Sequence, residues 1–489
     1  MPRLSPFALA AALAVATLPL GAQIAEPEYA SRRAALAAAL GDGALVAFGA
    51  AEPAHDYERF EQAPNFLYLT GVREPGAALV VVKRGGRTSS MLFVEERDPE
   101  QEVWSGRRTG VAETGRRTGL PTRPSTQFAS VLDSLAGAGL PFFFAGESGG
   151  VGVRSRDQQV MDAVRARHPG LRVTGGAGLV ERLRGRKSAA ELALIRRAVE
   201  ITVAAQREAM ALIEPGTNEF EAQALIEYTF RRNGADRPSF ATIVGSGPNA
   251  TTLHYNADDR FMRAGEVVVM DIGASYRGYA ADVTRTVPVS GRFTPEQREV
   301  YQLVRDAQAA AERQAAPGAP AQLMSDSASA VLARGLARLG LIDGPDATYD
   351  CEADGSRQCA QLSLYYMHAL GHGIGLEVHD PDQYYRTGRL DAGSAFTLEP
   401  GVYVRADLLD ALPKTPRNRA LAGRLGPAVA RFRDVGVRIE DNYVVTERGV
   451  EWLSRAPREA AEVEAAMQVP FAGPAKRDAA LVDAYRATQ

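Results

Sequence analysis

The pattern of apolar and polar positions divides the chain in two. From about Ala30 to Val173, strand-like apolar runs alternate with stretches of helical spacing: "ALVAFGA", "FLYLTG", "AALVVVKRG", "SSMLFVEE" and "PFFFAG". That alternation predicts a mixed α/β domain. Longer periods follow. "SAAELALIRRAVEITVAAQREAMALI" opens on Ser188 with Glu191 three residues on, a capping box, and keeps helical spacing up to Pro215-Gly216. A second helix is expected after Thr217, and a third from Thr294-Pro295 with Gln297 at the box position. Between them "GEVVVMDIGASYRGYAADVTRTVPV" reads as a β-hairpin turning at "SYRG". The domain boundary is expected near 175–187. The Ala/Glu-rich stretch after Pro457 reads as an outer helix.

The N-terminus carries a separate signal. One early charge, Arg3, precedes an apolar run from Phe7 to Leu20, and the small residues Gly21 and Ala22 follow. This layout predicts a signal peptide over residues 1–22. The run is about 14 residues, short of the roughly 20 that span a bilayer. The mature protein is therefore expected to be secreted or periplasmic, with no membrane attachment. Cys351 and Cys359 flank the turn-forming "CEADGSRQC", and an exported chain is expected to join them in a disulfide. A net charge of −3 and the lack of a long basic run exclude an electrostatic search for nucleic acid.

Candidate chemistry gathers in the second half. Asp271 follows the apolar "VVVM", and Asp282 lies on the returning strand of the hairpin. Carboxylates in such runs are costly to bury unless paired or metal-bound. Placed in register on adjacent strands they would repel, and a divalent cation removes that repulsion. Either could instead face solvent at a sheet edge. Glu399 in "AFTLEPGVYV" and Glu440 in "GVRIEDNYVV" have similar surroundings, and each could be a strand-end charge or a partner of Arg438. Three of the six histidines, His368, His372 and His379, fall in "MHALGHGIGLEVHD". His368 and His372 have the spacing of a helical zinc motif, but Ala369 stands where that motif needs Glu. Gly371, Gly373 and Gly375 also disfavour a helix. The segment reads better as a chain hugging a site, with glycines permitting close approach. Two Asp, two Glu and one His supply the donors that two divalent metals need.

These pieces, with "HYN" (254–256), "MDIGASYRGYAADVTRT" (270–286), "TLEPGVYV" (397–404) and "VRIEDNYVVTERG" (437–449), resemble the pita-bread metallopeptidases, in the aminopeptidase P and prolidase branch. The N-terminal half resembles that branch's own first domain in "NFLYLTGVREPGAALVVV" and "LFVEERDPEQEVWSGRRTG". The resemblance implies an α+β protein: a mixed α/β domain over 23–180, then a pita-bread catalytic domain over 181–489. It implies that Asp271 binds one metal, that Asp282 and Glu440 bridge two, and that His372 and Glu399 bind the second. A metal-bridging hydroxide would be the nucleophile, with Glu399 also shuttling its proton. His254, His368 and His379 would hold substrate and stabilise the tetrahedral intermediate, and Arg438 would sit beside the carboxylates.

The implied metals are two divalent ions, manganese first, with cobalt, zinc or iron fitting the same ligands. The implied substrates are peptides with proline in second position. A prolidase acting on Xaa-Pro dipeptides is the alternative, and a metal-free binding protein is a third reading. A homo-oligomer, dimer or tetramer, is expected, with Trp104 either packing within the chain or approaching a neighbouring subunit. His55 and His168 match no family position and are expected to be structural. Two segments depart from the pattern, 343–362 around the cysteines and 405–434, and both are expected to shape the rim of the pocket or the oligomer contacts.

Overall fold

A computed structural model describes residues 23–55, 58–382, 384–476, 478–480 and 482. The expected signal peptide lies outside the described residues. No described helix is long and apolar enough to cross a membrane.

The first half is built on a six-stranded mixed sheet. Its spatial order is Thr122–Pro124, Arg87–Val94, Ala78–Arg84, Gly43–Phe48, Phe142–Ala145 and Val173–Gly175. The period-two alternation of a strand sends neighbouring side chains to opposite faces. Ala44, Val46 and Phe48 join Leu132, Met161 and Val164 in a small core beneath the helices Phe128–Gly137 and Arg156–Arg167. Leu45 and Ala47 face the other way, into the main core shared with the second half. One expectation fails here. "FLYLTG" is not a strand but part of the helix Pro64–Thr70. Pro64 starts it, and Gly71, at φ 67°, ends it in the left-handed region. Its residues Phe66 to Thr70 are all buried, so apolar continuity here reflects an enclosed helix.

In the second half the capping boxes at Ser188/Glu191 and Thr294/Gln297 open the helices Ala189–Leu212 and Pro295–Glu312. The intervening helix is Glu219–Arg232, capped by Asn218. The hairpin forms as the pattern predicts: Val267–Ile272 runs antiparallel to Val283–Pro288, and Ile243–Ser246 flanks the pair. Its tip turns at Arg277 and Gly278, with φ of 51° and 86°, the geometry of a tight hairpin turn. Asp271 opposes Thr284, and Asp282 stands one residue before its strand. Gln206 of the long helix donates to the carbonyls of Met270 and Val283, which ties the hairpin to the helix behind it. The helix Ala460–Met467 is not wholly external, since Val463 is fully buried.

The cysteine segment is a short hairpin, Thr348–Asp350 with Gln358–Ala360, closed by the Cys351–Cys359 disulfide. It packs on the helix Pro416–Arg431 of the other departing segment. Asn418 exchanges two hydrogen bonds with the Asp350 backbone, and Thr415 donates to the Asp350 carboxylate.

Behind the hairpin lies a buried ion pair. Arg285 and Asp441 are both wholly inaccessible and meet at 2.7 Å. Arg285 also donates to the carbonyls of Thr284 and Glu440. Arg285→Met would leave Asp441 with Arg458 as its remaining cation. We expect a loss of about 3–5 kcal/mol, read as earlier urea unfolding. An unchanged midpoint would mean that Arg458 alone suffices.

Candidate metal centre

The two acidic hairpin positions and the two glutamates reach one place by different routes. Asp271 sits on Val267–Ile272, and Asp282 stands just before Val283–Pro288. Glu399 and Glu440 do not lie within strands. Each sits at a break: Ala395–Leu398 pairs with Asp441–Thr446, and Gly401–Val404 pairs with Val435–Arg438. The two breaks face one another, so both glutamates leave the sheet at the same kink. The Glu440 N–H donates to the Thr284 carbonyl at 3.1 Å, locking the kink onto the hairpin.

The histidine segment is irregular, as its glycines lead one to expect. It lies along the strand Ala395–Leu398: Thr397 N donates to the His372 carbonyl at 2.8 Å, and Glu399 N to the Leu370 carbonyl at 2.7 Å. A Cβ on Gly371 would stand 2.0 Å from the Thr397 oxygen, so no larger residue fits there without moving the backbone.

His372 is the nitrogen donor at the centre. Its Nε2 lies 3.4 Å from Asp282, 3.4 Å from Glu399 and 3.9 Å from Glu440. Its Nδ1 is 3.1 Å from the Gly373 carbonyl, which can only accept. Nδ1 therefore carries the proton, and Nε2 presents its lone pair to the carboxylates. Asp282, His372 and Glu440 offer ligand atoms within 4.8 Å of one another. Asp271 Oδ1, Asp282 Oδ1 and Glu440 Oε1 are buried without a hydrogen-bond partner. Three orphaned carboxylate oxygens are costly in an apolar interior and suit a hard cation.

The electrostatics agree. Burial, then the charges of Glu440, Asp271 and Glu399, push Asp282 far above the usual carboxylate range. Burial and Glu440 do the same to Glu399. Burial and Asp271 push Glu440 up to about 8.

Arg438 donates to Asp271 at 2.6 Å and to the Tyr403 hydroxyl at 2.8 Å. Tyr403 lies 2.9 Å from His368 Nε2. His368 Nδ1 faces the Ala369 carbonyl at 2.8 Å, so it carries the proton and Nε2 accepts from Tyr403. Burial pushes His368 down to about 4, leaving it neutral at physiological pH. Burial, then His372 and His254, also lowers His379, whose ring stands 4.2 Å from that of His372. His254, His368, His372, His379, Asp271, Glu399 and Arg438 all line one cavity of about 580 Å³.

Sequence reasoning missed Tyr403, which looks like one more apolar residue of "GVYV". It also missed Thr284, whose hydroxyl donates to Glu440 at 2.7 Å. Neither 343–362 nor 405–434 contributes a residue to the cavity lining, so the expected rim role is not seen. The two segments pack on each other instead. Trp104 is 87% exposed and does not pack within the chain. His168 lies 3.2 Å from Asp133, away from the site.

Residues 193–447 match the model of metallopeptidase family M24, and residues 29–140 that of the aminopeptidase P N-terminal domain. The chain belongs to metallopeptidase family M24. It is 32% identical to the Xaa-Pro aminopeptidase of Escherichia coli over 91% of its own length and 98% of that protein's. It is 30% identical to human Xaa-Pro aminopeptidase 3, over 83% and 76%. Among solved structures, proline aminopeptidase P II from Yersinia pestis superposes with a TM-score of 0.76 at 31% identity, over 91% and 99% of the two chains. Escherichia coli aminopeptidase P with the inhibitor Pro-Leu gives 0.76 at 31%, over 91% and 98%. The two-part α+β architecture is that of these enzymes. Family membership and the donor set together mark the centre as a site for divalent metal.

Two outcomes follow. The raised carboxylates favour the protonated form in the folded chain, so their stabilisation is present at low pH. It is lost as pH rises through the folded values, about 8 for Glu440. Chelator-treated protein should therefore melt progressively earlier from pH 6 to pH 9, and added metal should restore the midpoint. Second, His372→Ala should bind metal about 100-fold or more weakly, and Thr284→Val about 10-fold more weakly. His368→Ala and His379→Ala should keep metal and lose turnover. Equal metal loss in all three histidine variants, measured by elemental analysis, would break this division.

Proposed function

We propose that the protein is an Xaa-Pro aminopeptidase, releasing the N-terminal residue from peptides whose second residue is proline. The observation that carries the reading is the single cavity, in which the acid-and-histidine cluster is lined by three further histidines and an arginine. Relatives named Xaa-Pro aminopeptidase align along nearly their whole length, which supports it.

Asp271, Asp282, His372, Glu399 and Glu440 would hold two divalent cations, manganese being favoured by a donor set of mostly oxygen. When bound, such a pair would activate a water as nucleophile and polarise the scissile carbonyl. The chain's own groups do the rest. Glu399 lines the cavity beside His372 and is placed to take a proton from the attacking water and pass it to the leaving amine. Arg438 fixes one Asp271 oxygen, the Ala369 carbonyl sets the tautomer of His368, and Tyr403 donates to its Nε2. His254 and His379 line the same cavity and are placed to hydrogen-bond the substrate and the developing oxyanion.

Export is part of the same proposal, with residues 1–22 as signal peptide. The closed Cys351–Cys359 pair supports it. So are a division near residue 180 and a homo-oligomeric state, the latter supported by the exposed Trp104.

Hydrolysis of an Xaa-Pro series from dipeptide upward, with manganese added, tests the activity. Turnover of tripeptides and longer chains is expected. Activity confined to dipeptides would make the protein a prolidase. No hydrolysis by fully metallated protein would defeat the reading.

A further inference from the structure

Residues 376–380 form a wall between two cavities. Leu376, Glu377 and Val378 line a cavity of about 780 Å³ between the two halves of the chain. His379 and Asp380 line the catalytic one. Leu376 anchors the wall in the main core, and the Asp380 N–H donates to the Gly373 carbonyl at 2.8 Å. The wall's far end, beside His379, is also held by charge.

The Asp380 side chain is 2% exposed. Its Oδ1 accepts from Arg184 Nη2 and from the Glu377 N–H, and its Oδ2 lies 3.1 Å from Lys187 Nζ. Lys187 also donates to the Pro381 carbonyl at 2.8 Å. Arg184 reaches Glu377 at 2.6 Å and, with Nη1, the Asn65 side chain of the first half at 2.8 Å. Both cations are buried. They lie in the crossover between the halves, where Arg184 ends the helix Ala177–Arg184 and Lys187 precedes the Ser188 cap.

Buried charge networks of this kind add little net stability over apolar packing, so stability alone is a weak reason for this one. They do impose a single geometry. We propose that Arg184 and Lys187 are positioning residues that act through Asp380 to hold His379 against the substrate, the catalytic part of which rests on the aminopeptidase reading. The network makes the crossover, and through Asn65 the N-terminal half, a determinant of His379 placement.

The test is a double-mutant cycle of Arg184→Gln and His379→Ala on an Xaa-Pro tripeptide, with metal content measured alongside. Arg184→Gln should keep its metal and lower kcat about tenfold. In the His379→Ala background it should add almost nothing, because groups acting through one another are not additive. The same factor in both backgrounds overturns the proposal. Should Arg184→Gln fail to fold, Asn65→Ala removes only the anchor in the first half. It should cost about threefold in kcat with the same non-additivity. In metal-free protein the His379 ring resonances should shift in the Arg184 or Asn65 variant while those of His168 stay in place; an unmoved His379 also overturns it. A wild-type chain inactive on every Xaa-Pro peptide defeats the activity reading, and the resonances then decide the positioning claim by themselves.

Discussion

Four carboxylates crowded into one dry kink are the constraint on which the rest of this structure depends. Glu440 is 1% exposed, and Asp282 and Asp271 are buried as well. Burial raises the proton affinity of Asp282, Glu399 and Glu440, and the neighbouring carboxylates raise it further. Here too few neutral donors reach the acceptors, and three carboxylate oxygens stay unpartnered. The chain supplies one cation, Arg438, at the margin. The remaining deficit is what makes the cluster a metal centre and not a buried ion-pair network.

The surrounding fold reads as a means of keeping that cluster in place. Its acids leave the backbone at strands or strand breaks whose hydrogen bonds run to other acid-bearing elements, such as Glu440 N to the Thr284 carbonyl. Arg285 reaches under the centre to grip the carbonyls of Thr284 and Glu440 while pairing with Asp441. Asn442 accepts from the Asp282 N–H at 3.1 Å and donates back to its carbonyl. The ligand backbone is thereby clamped from behind, so repulsion at the front cannot relax by spreading the strands.

Much of this was legible in the chain. The acids announced themselves because a carboxylate among valines is anomalous, and the glycines of "GHGIG" announced close backbone approach. Helix starts were legible because Ser188 and Thr294 cap by local rules. What stayed hidden depended on long-range pairing. Glu399 and Glu440 read as strand residues, and only the facing breaks show why they converge. Tyr403 and Arg285 gave no signal, because one hides in an apolar run and the other looks like an ordinary surface arginine. "FLYLTG" misled because an enclosed helix and a strand share the same apolar run, and Pro64 and Gly71 were the cue. The rim role expected of 343–362 and 405–434 was an inference from adjacency in sequence, and the contact between Asp350 and Asn418 turns those segments toward each other.

A division of labour follows from where the two kinds of residue sit. The acids stand on or between strands, whose register fixes them. The cavity histidines stand on irregular segments, which have no register, so each needs its own anchor. Tyr403 and the Ala369 carbonyl fix His368. The loop after His254 is held by Glu219, which accepts from Tyr255 and from the backbone of Ser246 and Arg260, and by Asp258, which accepts from Val244. Asp380 serves His379. Two of these three anchors are buried acids outside the metal cluster, each bound by donors from distant parts of the chain. The fold thus uses carboxylates twice, once left short of donors at the metal cluster and once, at Glu219 and Asp380, supplied with donors that fix a loop. For Glu219 and Asp380 the number of donors around the acid, and not its residue type, sets them apart from the metal cluster.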